Sequence, residues 1–475
     1  MDRREHIRRI LEWLHRYENL ADDAAAFREA LDSPPPVDLL VPPGRGGAEV
    51  VAAGLGRRGF ETTRFPWAPD HVRVHRAPSA GVLPEVVFGL AHPQGVASGV
   101  AARLLAGPTS GPVLDLCAAP GGKTLYLAAL FGSGVRVVAN EQSVGRSGLL
   151  VQTLARQAIS SAIVVHHDGS SLPRSGPFER ILVDAPCTSE GTFRVPVPSY
   201  IATGAAGVAA TSGLQRKLLR RAATLLAPGG LLLYSVCSYA PEETEAVVHD
   251  TLAQSRELDV VEIPPDVPGV PGVVSWNGQR FDDRVRRARR LFPHHTGSWG
   301  FFIALFRKAP GASPGLDEDR TEADEGDDPE ARELVTRFVG DRFGVPRAAL
   351  DRFRSERHGR SVWLLARPDA PASDVPHRRF RVLAPGLRAL RVQPREIHAS
   401  NGLLRLLDAS ITRGVVDLGW DEAVELIREG SARTTGLPTG QVALRVDGRV
   451  VGAGFAQERT LHLQIPKAWR PARSV

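Results

Sequence analysis

The chain has 475 residues, 43% of them apolar and 24% charged, with a formal net charge of +6. This is ordinary globular usage, so wholesale disorder is excluded, and no run approaches the roughly 20 apolar residues of a membrane span. Three cysteines, Cys117, Cys187 and Cys237, are too few for a disulfide scaffold and none forms a CxxC pair, so no metal site is expected.

The first twenty residues are charged throughout and lack the apolar stretch of a signal peptide, which predicts a soluble, cytoplasmic protein with no membrane partner. Ile7, Ile10, Leu11 and Leu14 repeat at helical spacing, and the prolines at 34–36 stop that pattern. Residues 37–105 carry short mixed signals. Together, 1–105 read as a small N-terminal helical and α+β region. From 111 the pattern becomes regular, with apolar runs at 113–117, 135–139, 162–166, 180–184 and 231–236 and helical segments between them. One helix is expected over 214–226, stopped by Pro228-Gly229-Gly230. Alternation of this kind predicts a parallel-rich sheet covered on both faces, here over 106–308, with 299–307 as its closing strand.

Residues 309–333 hold ten acids against Arg320 and Arg332 and almost no large apolar residue, which reads as a solvated acidic linker. Residues 334–475 hold 24 Lys or Arg against 14 Asp or Glu. Their short strand-like runs predict a basic, mostly β C-terminal module. Basic regions on both sides of the linker suit a polyanionic partner, because arginine pairs bidentately with phosphate.

The segment 115–124, DLCAAPGGKT, follows a predicted strand and opens a helix. Small residues there let the backbone approach a ligand closely. It is not a P-loop, since that pattern needs glycine where Cys117 stands. Asp115, Glu141, Asp168 and Asp184 end or follow four successive strands, and acids so placed converge on the crevice where open α/β sheets bind ligands. Jointly they favour an adenosine cofactor. Cys187 follows Asp184-Ala185-Pro186 in a turn expected to be exposed, and Cys237 follows Tyr234-Ser235-Val236. Two thiols beside a carboxylate in a nucleoside-cofactor cleft suggest covalent chemistry.

These stretches, with ANE at 139–141, DAPCTSEGTFR at 184–194, YSVCSYAPEETE at 234–245 and RLFPHHTGSWGFFIALFRK at 290–308, resemble the Nop/Sun family of RNA cytosine-C5 methyltransferases. The resemblance implies a Rossmann-like methyltransferase fold that uses S-adenosylmethionine. It implies cofactor contacts from Cys117, Ala118, Ala119, Pro120, Gly121, Gly122, Lys123, Glu141, Asp168 and Asp184. It also implies Cys237 as nucleophile, Cys187 as the helper that releases product, and Asp184 as a base-contacting acid. The partner implied is ribosomal or transfer RNA, and a monomer is expected. The C-terminal module resembles the PUA-like RNA-binding domain of the bacterial small-subunit ribosomal RNA methyltransferase F group. The chain departs from the family at Thr188 and Ser189, which replace Ser and Gly, at Val236 for Thr, and at Thr244 for Asn. Two other readings stay open: a methyltransferase for protein or small molecules, and a non-catalytic RNA-binding scaffold.

Overall fold

The computed structural model describes the chain except residues 1–2, 45, 175, 194–203, 312–326, 371–379, 395, 434–436, 438, 467–468 and 470–475; of residues 3–8 it describes the backbone only. Most of the expected acidic linker therefore lies outside the described residues.

The N-terminal region holds two helices, α1 (Arg3–Leu14) and α2 (Ala24–Asp32), the second capped by the Asp23 side chain. A four-stranded antiparallel sheet follows, built from β1 (Val37–Leu40), β2 (Thr62–Phe65), β3 (Ala68–Val74) and β4 (His92–Pro93) in the order β2-β3-β1-β4. Helices α3 (Gly47–Arg57), α4 (Pro84–Val87) and α5 (Val96–Leu104) complete this part.

The central sheet alternates strand and helix as the pattern predicts: β5 (Val113–Asp115), α6 (Gly122–Phe131), β6 (Val137–Asn140), α7 (Val144–Arg156), β7 (Ala162–Val165), β8 (Phe178–Asp184), α8 (Ala205–Leu225), β9 (Leu226–Val236) and α9 (Glu245–Gln254). The strands β9-β8-β5-β6-β7 are parallel neighbours in that order. β5, β6 and β7 are buried at every position, the signature of strands covered on both faces. One face packs on α8 and α9 through Leu218, Leu219, Ala222 and Val247, the other on α5, α6 and α7 through Val100, Leu125 and Leu150. The closing strand Phe301–Lys308 adds antiparallel beside β9. The stop signal at Pro228 acts differently from expectation. The helix already ends at Leu225, and Pro228-Gly229-Gly230 lies inside β9, where the register to β8 shifts between Phe178 and Arg180.

The far edge of the sheet takes up a strand from beyond the expected linker. The strand Val382–Pro385, from the C-terminal module, pairs antiparallel with β7, Val382 opposite Val165 and Pro385 opposite Ile163. Leu365 and Phe380 enter the core of this sheet. The module is thus docked on the central domain. Its own sheets are a four-stranded one over Phe353–Ala399 and a five-stranded one over Val415–Leu463. The end of the expected linker also changes. Residues 329–333 open the helix Pro329–Phe343, because the Asp328 carboxylate accepts hydrogen bonds from the Glu330 and Ala331 amides and Pro329 fits the first helical position. Among the described residues, no helix is long and apolar enough to cross a membrane.

Candidate active site

The two cysteines come from loops at the C-terminal ends of adjacent parallel strands, Cys187 three residues past β8 and Cys237 one past β9. Their sulfurs lie 3.4 Å apart, and both are free thiols of intermediate exposure. The contact splits their acidities. Cys237 is pushed down, chiefly because the Cys187 thiol hydrogen-bonds to it, with Lys123 and Ser189 helping against burial and the Asp184 charge. Cys187 is pushed well up, first by that same hydrogen bond and then by burial. In this arrangement Cys187 donates and Cys237 is the thiolate side of the pair.

The turn after Cys187 is not the exposed loop expected. Thr188, Glu190 and Gly191 are buried. The reason is Glu243, a fully buried acid in the EET run after Cys237. It accepts from the Thr188 amide at 3.0 Å, from the Thr188 hydroxyl, from Ser238 Oγ at 2.6 Å and from Gln215 Nε2 at 2.9 Å. One carboxylate therefore ties the residue after each cysteine to the other loop. Gly191 closes the same seam: its amide donates to the Cys237 carbonyl at 2.9 Å, and a Cβ there would meet the Gly300 carbonyl oxygen at 2.3 Å. Ser189 stands at φ +63°, a conformation natural to glycine, so the loop keeps its path although a side chain has been added. The Ser189 hydroxyl sits 4.0 Å from Cys187 Sγ.

Asp184 ends β8 beside the thiols. It accepts from Lys123 Nζ at 2.7 Å and from Ser235 Oγ at 2.8 Å. Lys123, expected from the resemblance to touch the cofactor, is thus held by Asp184 and lies over the Phe301 ring at 5.0 Å. The rest of the glycine loop forms the start of α6. Gly121 takes φ +111° and a Cβ there would meet Leu150 at 2.9 Å, so the loop packs against α7 only with glycine. Cys117, Asn140, Glu141, Ser143, Arg146 and Gly169 face a cavity of about 280 Å³ at the strand ends. Burial and the neighbouring carboxylates of Asp115, Asp184 and Glu141 push the Cys117 thiol well up, so it stays neutral.

Glu141 is buried and accepts from the Ala119 amide at 3.3 Å and the Ser143 amide at 2.8 Å. Asp115 is buried, raised to about 7 by desolvation, and bonded by Thr124 Oγ1 at 2.7 Å; its Oδ1 has no hydrogen-bond partner among the described residues. Asp168, expected from the resemblance to contact the cofactor, follows β7 next to the cavity-lining Gly169. Its carboxylate is exposed and caps the turn Gly169–Ser171 through Ser170. Sequence reasoning read Asn140, which joins the ends of β5 and β7 through Leu116 and His167, and Glu243 only as parts of motifs.

The N-terminal helices close over these loops. Trp13 Nε1 donates to Glu190, and Arg16 pairs with Glu242 at 2.8 Å while lying over Trp13, Tyr17 and Trp276. Asp22 accepts from both His294 and His295, at 2.9 and 2.8 Å. This triad has metal-ligand residue types. However, the Phe292 amide donates to His295 Nδ1, which places the proton of that ring on Nε2, facing Asp22. The group is thereby assigned as a hydrogen-bonded latch.

The profile of the family described as 16S rRNA methyltransferase RsmB/F matches residues 102–307. The tRNA (cytosine(49)-C(5))-methyltransferase of Pyrococcus abyssi is 30% identical over 313 residues, which cover 65% of this chain and 99% of that protein. The ribosomal RNA small subunit methyltransferase F of Serratia proteamaculans is 31% identical over 53% of this chain, which spans about half (52%) of its length. Longer eukaryotic relatives are spanned over less than half their length. A methyltransferase homolog protein from Pyrococcus horikoshii superposes with a TM-score of 0.54 at 29% identity, covering 63% of this chain and 98% of that one. A relative matched almost end to end, and a profile lying over the sheet and both cysteine loops, show that the chain belongs to the RsmB/F family of RNA cytosine-C5 methyltransferases.

Proposed function

We propose that the protein methylates C5 of cytosine in RNA, with Cys237 as nucleophile and Cys187 as the group that resolves the adduct. The observation that carries this reading is the 3.4 Å contact between the two sulfurs beside the Lys123–Asp184 pair. The donor set fits S-adenosylmethionine: Glu141 offers carboxylate lone pairs to ribose hydroxyls, and the orphaned Asp115 Oδ1 offers an acceptor to an ammonium group. When bound, S-adenosylmethionine supplies an electrophilic methyl group to C5.

Cytosine C5 is a poor nucleophile. Addition of the Cys237 thiolate to C6 forms a C–S bond and pushes the electron pair onto C5 and the N3 side of the ring. Asp184, at the end of the strand that leads to Cys187, would accept a hydrogen bond from the exocyclic amine or a protonated N3. Cys187 then changes character. Once Cys237 is bonded to carbon, the thiolate that Cys187 faced is gone, and with it the first cause of its high pKa. Cys187 can then pass its proton to solvent and, as a thiolate, take the C5 hydrogen as a proton; the C–H electron pair re-forms the C5–C6 double bond, the C6–S bond breaks and Cys237 leaves as thiolate. The target base must leave its stack to reach this crevice.

The substrate proposed is ribosomal RNA, in line with the family profile, and transfer RNA is the second reading because the relative matched end to end acts on it. The test is capture on 5-azacytidine RNA together with methylation mapping by bisulfite sequencing. Cys237→Ala should abolish both adduct and methylation, and Cys187→Ala should accumulate protein bound to ordinary RNA. Accumulation with the Cys237 variant instead would overturn the roles. Absence of any cytosine methylation in RNA by the wild type would overturn the function.

A further inference from the structure

A second cavity, of about 970 Å³, opens where α7 meets both sheets of the C-terminal module. It is more than three times the volume at the strand ends and sits at the top of the usual range for small-ligand sites. Among the described residues, its walls combine cations with neutral polar side chains and include no carboxylate. Arg388 and Arg391, on the strand Leu387–Val392, are exposed, lie close enough to repel each other, and among the described residues neither is bonded to a carboxylate. Trp469, His398, Gln393 and Gln464 also line it. Ser147 and Gln152 of α7 form another wall. The helix that carries them begins at Ser143, which lines the cofactor-sized cavity.

We infer that this cleft holds an unpaired segment of the RNA substrate. The two arginines would take its phosphates, and the amides of Gln152 and Gln393 its base edges. This rests on the RNA-methyltransferase reading above and adds to it a defined seat for the strand. A polyanion suits two exposed guanidiniums in a wall without carboxylates among the described residues better than a neutral metabolite does. The volume exceeds what a single phosphate or nucleobase needs, so a strand is favoured over a free anion. A docked module forming one wall and the catalytic helix forming another would fix the strand relative to the crevice. Rigid placement of this kind raises the effective concentration of the target base.

The test uses the full chain and a labelled, unstructured oligoribonucleotide of about a dozen residues, with binding measured across a salt series. Arg388→Gln with Arg391→Gln should weaken binding about tenfold and lower the slope of log affinity against log salt by about one to two. Affinity for S-adenosylmethionine should stay unchanged by calorimetry. Gln152→Glu, which sets a carboxylate in the helical wall, should weaken binding in the same direction without touching either arginine. Ultraviolet crosslinks on the wild type should map to residues 388–402 or Trp469. Unchanged affinity and slope in both variants, or crosslinks confined elsewhere, would overturn the cleft. If the wild type methylates RNA while both variants bind it normally, the cleft alone fails; if the wild type does not methylate RNA, the functional reading fails first.

Discussion

At the scale of single residues, the thiol pair carries the sharpest consequences. Cys187 lowers the pKa of Cys237 through one hydrogen bond, so removing that donor should raise it. Cys187→Ala should therefore move the pH profile of Cys237 alkylation, followed on its own peptide by mass spectrometry, to higher pH; an unmoved profile would mean that the contact does not set the acidity. Glu190 gives a second test, in stability. Burial raises its carboxyl from 4.5 to about 7, against the opposing hydrogen bond from Trp13. Between those two values the folded protein keeps a proton that the unfolded chain has lost, so stability falls as pH rises through that window. Glu190→Gln keeps the acceptor for Trp13 and has no charge to bury. It should melt with the wild type near pH 4.5 and be more stable above pH 7, by up to about 3 kcal/mol. Equal melting at both ends would refute the assignment. Residue chemistry of this kind was partly legible beforehand. The cysteines, Asp184 and Glu141 stand where strand ends put them, but the buried state of Glu190 depends on Trp13, 177 positions away, and no local pattern announces that.

Elements explain why the loops hold their shape. Regular alternation of apolar runs was enough to locate four of the five parallel strands to within about two residues, because strands buried on both faces must be continuously apolar, while β9 begins at Leu226, five residues before its run. What the runs do not reveal is the clamp between strand ends. Glu243 satisfies donors from the loops after β8 and β9 and from α8, and no spacing rule marks an acid for that task. Glu243→Ala would leave these buried donors without an acceptor, and each costs about 1–3 kcal/mol. The expected loss of folding stability is at least about 3 kcal/mol. If the clamp positions the thiols, the variant should also form the 5-azacytidine adduct more slowly while its cofactor affinity is unchanged, and Glu243→Gln should recover part of the rate. Stability loss with a normal adduct rate would reduce Glu243 to a packing role. The neighbouring Glu245–Arg290 pair, buried and bonded also to the Tyr239 carbonyl and to Thr244, anchors the far side of the same segment. The Thr244 departure from the family's asparagine supplies one of those acceptors.

For the whole molecule, the decisive feature is that the C-terminal module completes the catalytic sheet. Composition separates the basic module from the rest by an acidic stretch and leaves open whether the module packs on the sheet, because strand pairing is a long-range property that charge does not encode. The His166 amide donates to the Arg381 carbonyl at 2.9 Å, the Ala366 amide to the Ser160 carbonyl at 2.9 Å, and the buried Arg136 guanidinium to the Ala366 carbonyl at 2.9 Å. A protein ending at residue 308 would expose the edge of β7, uncover the core around Leu365 and Phe380, and take a carbonyl away from Arg136. Burying each of those two apolar side chains is worth about 1.5–3 kcal/mol. The truncated chain should therefore aggregate or melt well below the full chain, by more than about 5 °C. Phe380→Ala in the full chain should cost about 3 kcal/mol by denaturant unfolding, the ordinary loss for emptying a buried phenylalanine site. If the truncated chain is soluble, melts with the full protein and binds cofactor equally well, the strand contributes nothing to the catalytic domain and the module is a tethered accessory. If Phe380→Ala alone reproduces much of the truncation's loss, the module acts as part of the catalytic core, and RNA affinity lost on truncation cannot be credited to recognition without the Arg388 and Arg391 variants as the control.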